Sequence, residues 1–110
     1  MAYDEELADR VRDALGERAD VTEKRMFGGL AFLVRGNMAV AARGRGGLMV
    51  RVDPADHDAL LAEPGADTAV MRGRPMRGWM TVTAEACADP ADLDAWVRRG
   101  LAFALTLPSK

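Results

Sequence analysis

The chain has 110 residues, 49% of them apolar and 29% charged, with a net charge of −2. That size fits a single domain, residues 1–110, with one modest core, and the acidic balance argues against the charge-driven grip on nucleic acid that strongly basic domains have. One cysteine, Cys87, excludes an internal disulfide and a cysteine-cluster metal site, and no apolar run approaches the ~20 residues needed to span a bilayer.

The opening MAYDEELADR is acidic where a secretion signal would be basic and then apolar, which points to the cytoplasm. Residues 4–15 set Leu7, Val11, Ala14 and Leu15 at helical spacing, with Asp4, Glu5 and Glu6 at the favoured end of the macrodipole and Gly16 as a cap. A short loop leads to Val21. Gly28-Gly29 predicts a bulge or a close backbone approach at the start of the first strand. The period then becomes two. Leu30, Phe32 and Val34 alternate with Ala31, Leu33 and Arg35; after a tight turn at Arg35-Gly36-Asn37, Met38, Val40 and Ala42 alternate with Ala39, Ala41 and Arg43. The turn residues Gly44 to Gly47 precede Leu48, Val50 and Val52, which alternate with Met49 and Arg51, completing a three-stranded meander. Asp53-Pro54 starts a short helix over about 54–62, stopped by Pro64-Gly65. Thr68–Met71 and Trp79–Thr83 read as strands joined by a loop over 72–78. Asp89-Pro90 starts a last helix striped by Leu93, Trp96, Val97, Leu101, Ala104 and Leu105. The order α-β-β-β-α-β-β-α predicts a two-layer α+β domain, an antiparallel sheet with helices on one face.

Charge is sorted along this order. Lys24 to Val52 holds six basic residues and no acid, and Thr68 to Ala84 adds Arg72, Arg74 and Arg77, again without an acid. The spacing predicts a basic sheet edged by acidic helices.

Segments along the whole chain resemble the TfoX N-terminal domain family: AYDEELADRVRDAL, VTEKRMFGGLAFLVRGNMAV, LMVRVDP, GRPMRGWMTV and LDAWVRRGLAFAL. The Met26-Phe27-Gly28-Gly29 block and the Gly36-Asn37-Met38 turn are the most specific of these. The resemblance implies a secretion-chaperone-like α-β3-α-β2-α fold, a cytoplasmic location and a homodimer. Full-length regulators of this kind carry a second, C-terminal domain, and the expectation here is a stand-alone N-terminal domain. The family offers no catalytic residues to map.

Two candidate sites follow from the residues. Arg35, Arg43 and Arg51 fall at matching parity on three consecutive strands, sharing a face with Ala39, Ala41 and Met49. Three readings stand: a solvated sheet face, a contact across a dimer, or a surface for an acidic or anionic partner. Arg74, Arg77 and Trp79, in a loop with Gly73, Pro75 and Gly78, could hold a ligand by cation–π and bidentate contacts, against a plainer role for Trp79 at the core edge. Gly44-Arg45-Gly46-Gly47 lacks the ending and the following helix of a phosphate loop and reads as a hairpin turn. His57, between Asp56 and Asp58, reads as an exposed histidine with no metal partners. Neither Cys87 nor Ser109 has a visible base, and most of the seven methionines read as sheet core filling. No catalytic set, metal site or cofactor is expected. The functional expectation is a non-enzymatic regulatory or adaptor domain working by protein–protein contact with an acidic partner; the alternative is a small-anion or nucleic-acid binding module using the same arginines.

Overall fold

The computed structural model describes residues 3–26 and 28–110. Phe27, in the block that carries much of the family resemblance, lies outside the described residues, as do Met1 and Ala2. Helix α1 (Glu5–Leu15) is followed by β1 (Val21–Met26), β2 (Gly29–Val34), β3 (Asn37–Ala42) and β4 (Leu48–Arg51). A 3₁₀ turn at Pro54–Asp56 runs into the short α2 (His57–Leu60), and the β5 (Ala66–Met71) and β6 (Arg74–Val82) hairpin leads to α3 (Pro90–Leu105). The six strands form one antiparallel sheet in the order β1-β2-β3-β4-β6-β5. The α+β class and the order of the expected elements hold.

Local chemistry accounts for the helix boundaries. Asp4 accepts from the Leu7 N–H at 3.2 Å, Asp53 from Ala55 at 2.9 Å and Asp89 from Ala91 at 2.8 Å, so these three helical segments start on an aspartate. Pro54 and Pro90 occupy first-turn positions where no N–H is needed. The main core lies between the helices and one sheet face. There Leu7, Val11 and Leu15 of α1 and Leu93, Trp96 and Val97 of α3 meet Phe32, Val34, Val40, Leu48, Val50, Met80 and Val82. Gly100 lets α3 approach β3 closely, since a Cβ there would lie 2.4 Å from the Ala39 carbonyl oxygen.

The structure departs from the sequence reading in four places. Strand β1 was not anticipated. It pairs along its whole length with β2, from Val21↔Val34 to Met26↔Gly29. A bidentate fork ties it to α1, the Arg12 guanidinium donating to Glu23 at 2.6 and 2.8 Å. Second, the pairing of β2 with β3 slips between Phe32 and Leu33, so that Phe32 faces Val40 while Leu33 faces Met38. The extra residue, Ala39, turns into the helix-side core instead of sharing a face with the arginines.

Third, the loop expected over 72–78 is mostly strand. The turn is confined to Arg72-Gly73, both with positive φ (53° and 77°), as a type I′ hairpin requires. Thr68 pairs with Met80 but Ala69 with Met76, so Arg77, Gly78 and Trp79 bulge out of the β5 ladder. Fourth, His57 is 3% exposed rather than on the surface. Its Nδ1 accepts from the Gly78 N–H at 2.9 Å, which leaves the proton on Nε2, 2.8 Å from the Thr68 hydroxyl. The ring therefore bridges β5 and β6 at the bulge.

Two predictions follow from these contacts. His57→Leu keeps the volume but leaves a buried N–H and a hydroxyl without partners; urea unfolding should show a loss of about 1–3 kcal/mol, whereas the neighbouring exposed Asp58→Ala should cost under about 0.5 kcal/mol. The Arg12 fork, opposed by partial desolvation, holds the Glu23 carboxyl below its ordinary value of 4.5. A depressed carboxyl stabilises the fold above its unfolded pKa and loses that contribution as pH falls through the folded value. Between pH 7 and pH 3 the urea midpoint of Glu23→Gln should accordingly fall less than that of the wild type.

Candidate functional site: the helix-free face of the sheet

Parity along the strands sends Ala31, Leu33, Met38, Ala41, Met49 and Trp79 to the face that carries no helix. These residues form a second apolar cluster, in which Ala31, Met38 and Ala41 are buried and Met26, Leu33, Met49 and Trp79 are partly buried. The cluster contains no helical residue. The centre of this face is small and apolar, with cations towards its margins.

The three sheet arginines do not share one environment. Arg35 sits in the β2–β3 turn with φ 54°, and its Nε donates to Asp20 at 3.2 Å. Asp20 also accepts two hydrogen bonds from Arg18, at 3.0 and 2.9 Å. These contacts, Arg18 first and then Arg35, hold the Asp20 carboxyl below its ordinary value. Turn geometry thus removes Arg35 from the expected row. Arg51 lies opposite Trp79 in the β4–β6 register, at an end of the sheet where Phe103 of α3 also comes within its reach. Its guanidinium lies 4.8 Å from the Trp79 ring centre and 5.5 Å from that of Phe103. Arg43, just past β3, lines a cavity described below.

The second candidate set is likewise divided. Arg77 is occupied by a paired contact with Asp58 at 3.1 and 3.2 Å, which holds that carboxyl low. Arg74 is exposed at the start of β6. Trp79 joins the Arg51 stack rather than a loop, because the bulge carries it onto β4. The two sequence candidates thus meet in a single contact, Arg51 on Trp79.

A cavity of about 670 Å³ opens over the same face. Ala41, Ala42 and Met49 form its floor, Met26, Gly28 and Gly29 one side, Arg43 to Arg45 another, and Val70, Met71 and Arg72 a third. The bulge creates that third wall: residues of β6 before Gly78 have left β4, and the hairpin tip leans over the sheet. Gly29 is required here, since a Cβ would lie 2.2 Å from the Ala42 carbonyl oxygen. Arg45 and Arg72 were missed as site residues; their acid-free surroundings in the sequence were the available signal.

Elsewhere the chemistry is quiet. Burial pushes the Cys87 thiol up, and its Sγ donates to the Thr83 carbonyl at 3.2 Å. Among the described residues, no group of three or more His, Cys, Asp or Glu is placed to hold a metal ion, and no helix is long and apolar enough to cross a membrane.

Fold and site together define a two-layer α+β domain whose sheet presents an apolar, arginine-flanked face. The family model described as TfoX N-terminal domain matches residues 13–104, and the chain belongs to that family. This membership suggests a TfoX-like regulatory domain. No curated protein and no solved structure matches the chain.

The environments of the three sheet arginines yield a graded prediction. Arg35→Glu places a carboxylate against Asp20 and Arg51→Glu removes the stack, so each should lower stability by about 1 kcal/mol, a few degrees in thermal melts. Arg43→Glu removes no contact and sets a carboxylate near Arg45 and Arg72, so it should not lower the melting temperature.

Proposed function

We infer that the domain is a non-enzymatic regulatory or adaptor module of the cytoplasm that acts by protein–protein contact through the helix-free sheet face. The observation that carries this reading is the second apolar cluster, which contains no helical residue among those described, with the Arg51–Trp79 stack beside it. Apolar centres rimmed by arginine and tryptophan are the surfaces on which partners dock, and both side chains are enriched among residues that dominate binding energy. An acidic rim on the partner would meet Arg43, Arg51 and Arg74, setting approach rate and orientation more than affinity. A second copy of the chain is one partner that this surface can receive, which would give the homodimer implied by the family resemblance. Nucleic acid fits less well, because Arg35 and Arg77 are committed to Asp20 and Asp58 instead of tracking a phosphate backbone.

The test is a tagged pull-down from native lysate, with and without nuclease, using wild type and the double variant Arg51→Glu/Trp79→Ala, alongside the solution mass of each. A specific protein, or a second copy, retained by wild type alone supports the contact reading. Binding that nuclease abolishes, or that the double variant keeps at wild-type level, overturns it.

A further inference from the structure

Most arginines of this chain are matched. Arg12 pairs with Asp9 and Glu23, Arg18 and Arg35 with Asp20, Arg77 with Asp58, Arg98 with Asp94, and Arg99 with Glu63. Arg10 donates to the Cys87 and Ala88 carbonyls, and Arg51 stacks on rings. Arg25, Arg43, Arg45, Arg72 and Arg74 have no such partner among the described residues, and three of them, Arg43, Arg45 and Arg72, come together. Among the described residues no carboxylate lies within ion-pair distance of any of them, and all three line the same cavity, whose described lining contains no acid. Three like charges around one concavity repel one another, and that arrangement is relieved by an anion.

The rest of the lining narrows the kind of anion. Met26, Met49, Met71 and Val70 are apolar, and Ala41, Gly28 and Gly29 contribute little side chain, leaving room for a ligand. Unbranched thioethers adapt to flexible apolar chains, and the volume lies within the range of small-molecule sites. Inorganic phosphate or a nucleotide would use the arginines but leave the methionines unfilled. An apolar tail without a charge would do the reverse. Arg72 is held over the site in a left-handed conformation that glycine or asparagine adopts at less cost, and Met71 and Arg72 come together from the same hairpin tip.

We propose that this cavity binds a free, single-chain anionic amphiphile, its carboxylate or phosphate head forked by Arg43, Arg45 and Arg72 and its tail laid across Met26, Met49 and Met71. The cavity's arginines are distinct from the Arg51–Trp79 contact, although Met26, Ala41 and Met49 also belong to the apolar cluster beside that contact. Arg43 and Arg45 follow the end of β3 that pairs with the start of β4, whereas Arg51 closes the other end of β4.

The experiment labels the methionine methyl groups with ¹³C and titrates the protein with decanoate below its micelle concentration, with decyltrimethylammonium and inorganic phosphate as controls. Decanoate should shift the Met26, Met49 and Met71 signals saturably and leave the core Met80 signal in place. The cation should bind at least tenfold more weakly, and so should decanoate to the Arg43→Gln/Arg45→Gln/Arg72→Gln variant. These substitutions lie outside the packed core, and an unchanged Met80 signal verifies that the variant is folded. Equal binding of both amphiphiles, full retention in the variant, shifts confined to methionines away from the cavity, or shifts with phosphate alone would each overturn the proposal. So would pelleting with anionic phosphatidylglycerol vesicles in the absence of any decanoate binding. Because Arg51 and Trp79 are untouched here, and the pull-down variant leaves these three arginines intact, the two proposals fail separately.

Discussion

The β5–β6 hairpin shapes everything on the helix-free face, and a buried imidazole fixes its course. His57 receives the Gly78 N–H on Nδ1 and reaches the Thr68 hydroxyl through Nε2, while the Gly78 carbonyl accepts from the Val52 N–H at 2.8 Å. Gly78, with φ 88°, is thereby engaged through both its backbone groups at the point where three residues of β6 leave the β5 ladder. On one side of that bulge Trp79 is delivered to Arg51. On the other, the hairpin leans over the sheet and brings Met71 and Arg72 to the cavity. A polar side chain nearly shut off from water is retained because both ring nitrogens are satisfied; unsatisfied, it would cost more than an apolar replacement.

From this constraint follows a division of labour between the two sheet faces. The helix side resembles an ordinary core, with arginines at its edges answered by acids from α1, α2 and the early loop. The other side combines partly covered methionines with arginines that no described carboxylate answers. A solvated sheet face would alternate apolar and polar residues. Here β2 and β3 carry buried residues on both faces, as strands do when something covers both. Helices cover one face; the hairpin covers only part of the other.

Much of this was legible in the sequence. Period-two alternation located β2, β3 and β4, and the Asp-Pro pairs located the helix starts, because those signals are local. Strand β1 escaped because an edge strand with Glu23, Lys24 and Arg25 in a row has no alternating apolar face to display, and such charges are how edges resist stray pairing. Ala39 changed faces through a bulge that depends on the fit of β3 to α3 at Gly100, a contact 61 positions away in the chain. His57 looked exposed between two aspartates, since its partners, Gly78 and Thr68, belong to strands that follow it. Arg35 and Arg43 obeyed parity, yet the turn at Arg35 redirected its side chain to Asp20. The acid-free runs pointed to the correct face, while the particular arginines were sorted by turns and a bulge.

Some of the features that sequence reading missed do little for stability. An arginine in the left-handed region at Arg72, three unanswered guanidiniums around one concavity, and Val70 left 64% exposed on an edge strand are all unfavourable for an isolated domain. Among the described residues every buried side-chain polar atom has a partner, and most of the other arginines are matched, so the chain is not carelessly assembled. Local rules broken together around one concavity mark a place where something other than folding set the sequence. That place is the helix-free face, and its chemistry, cationic at the rim and thioether-lined beneath, asks for an occupant that is acidic and apolar at once.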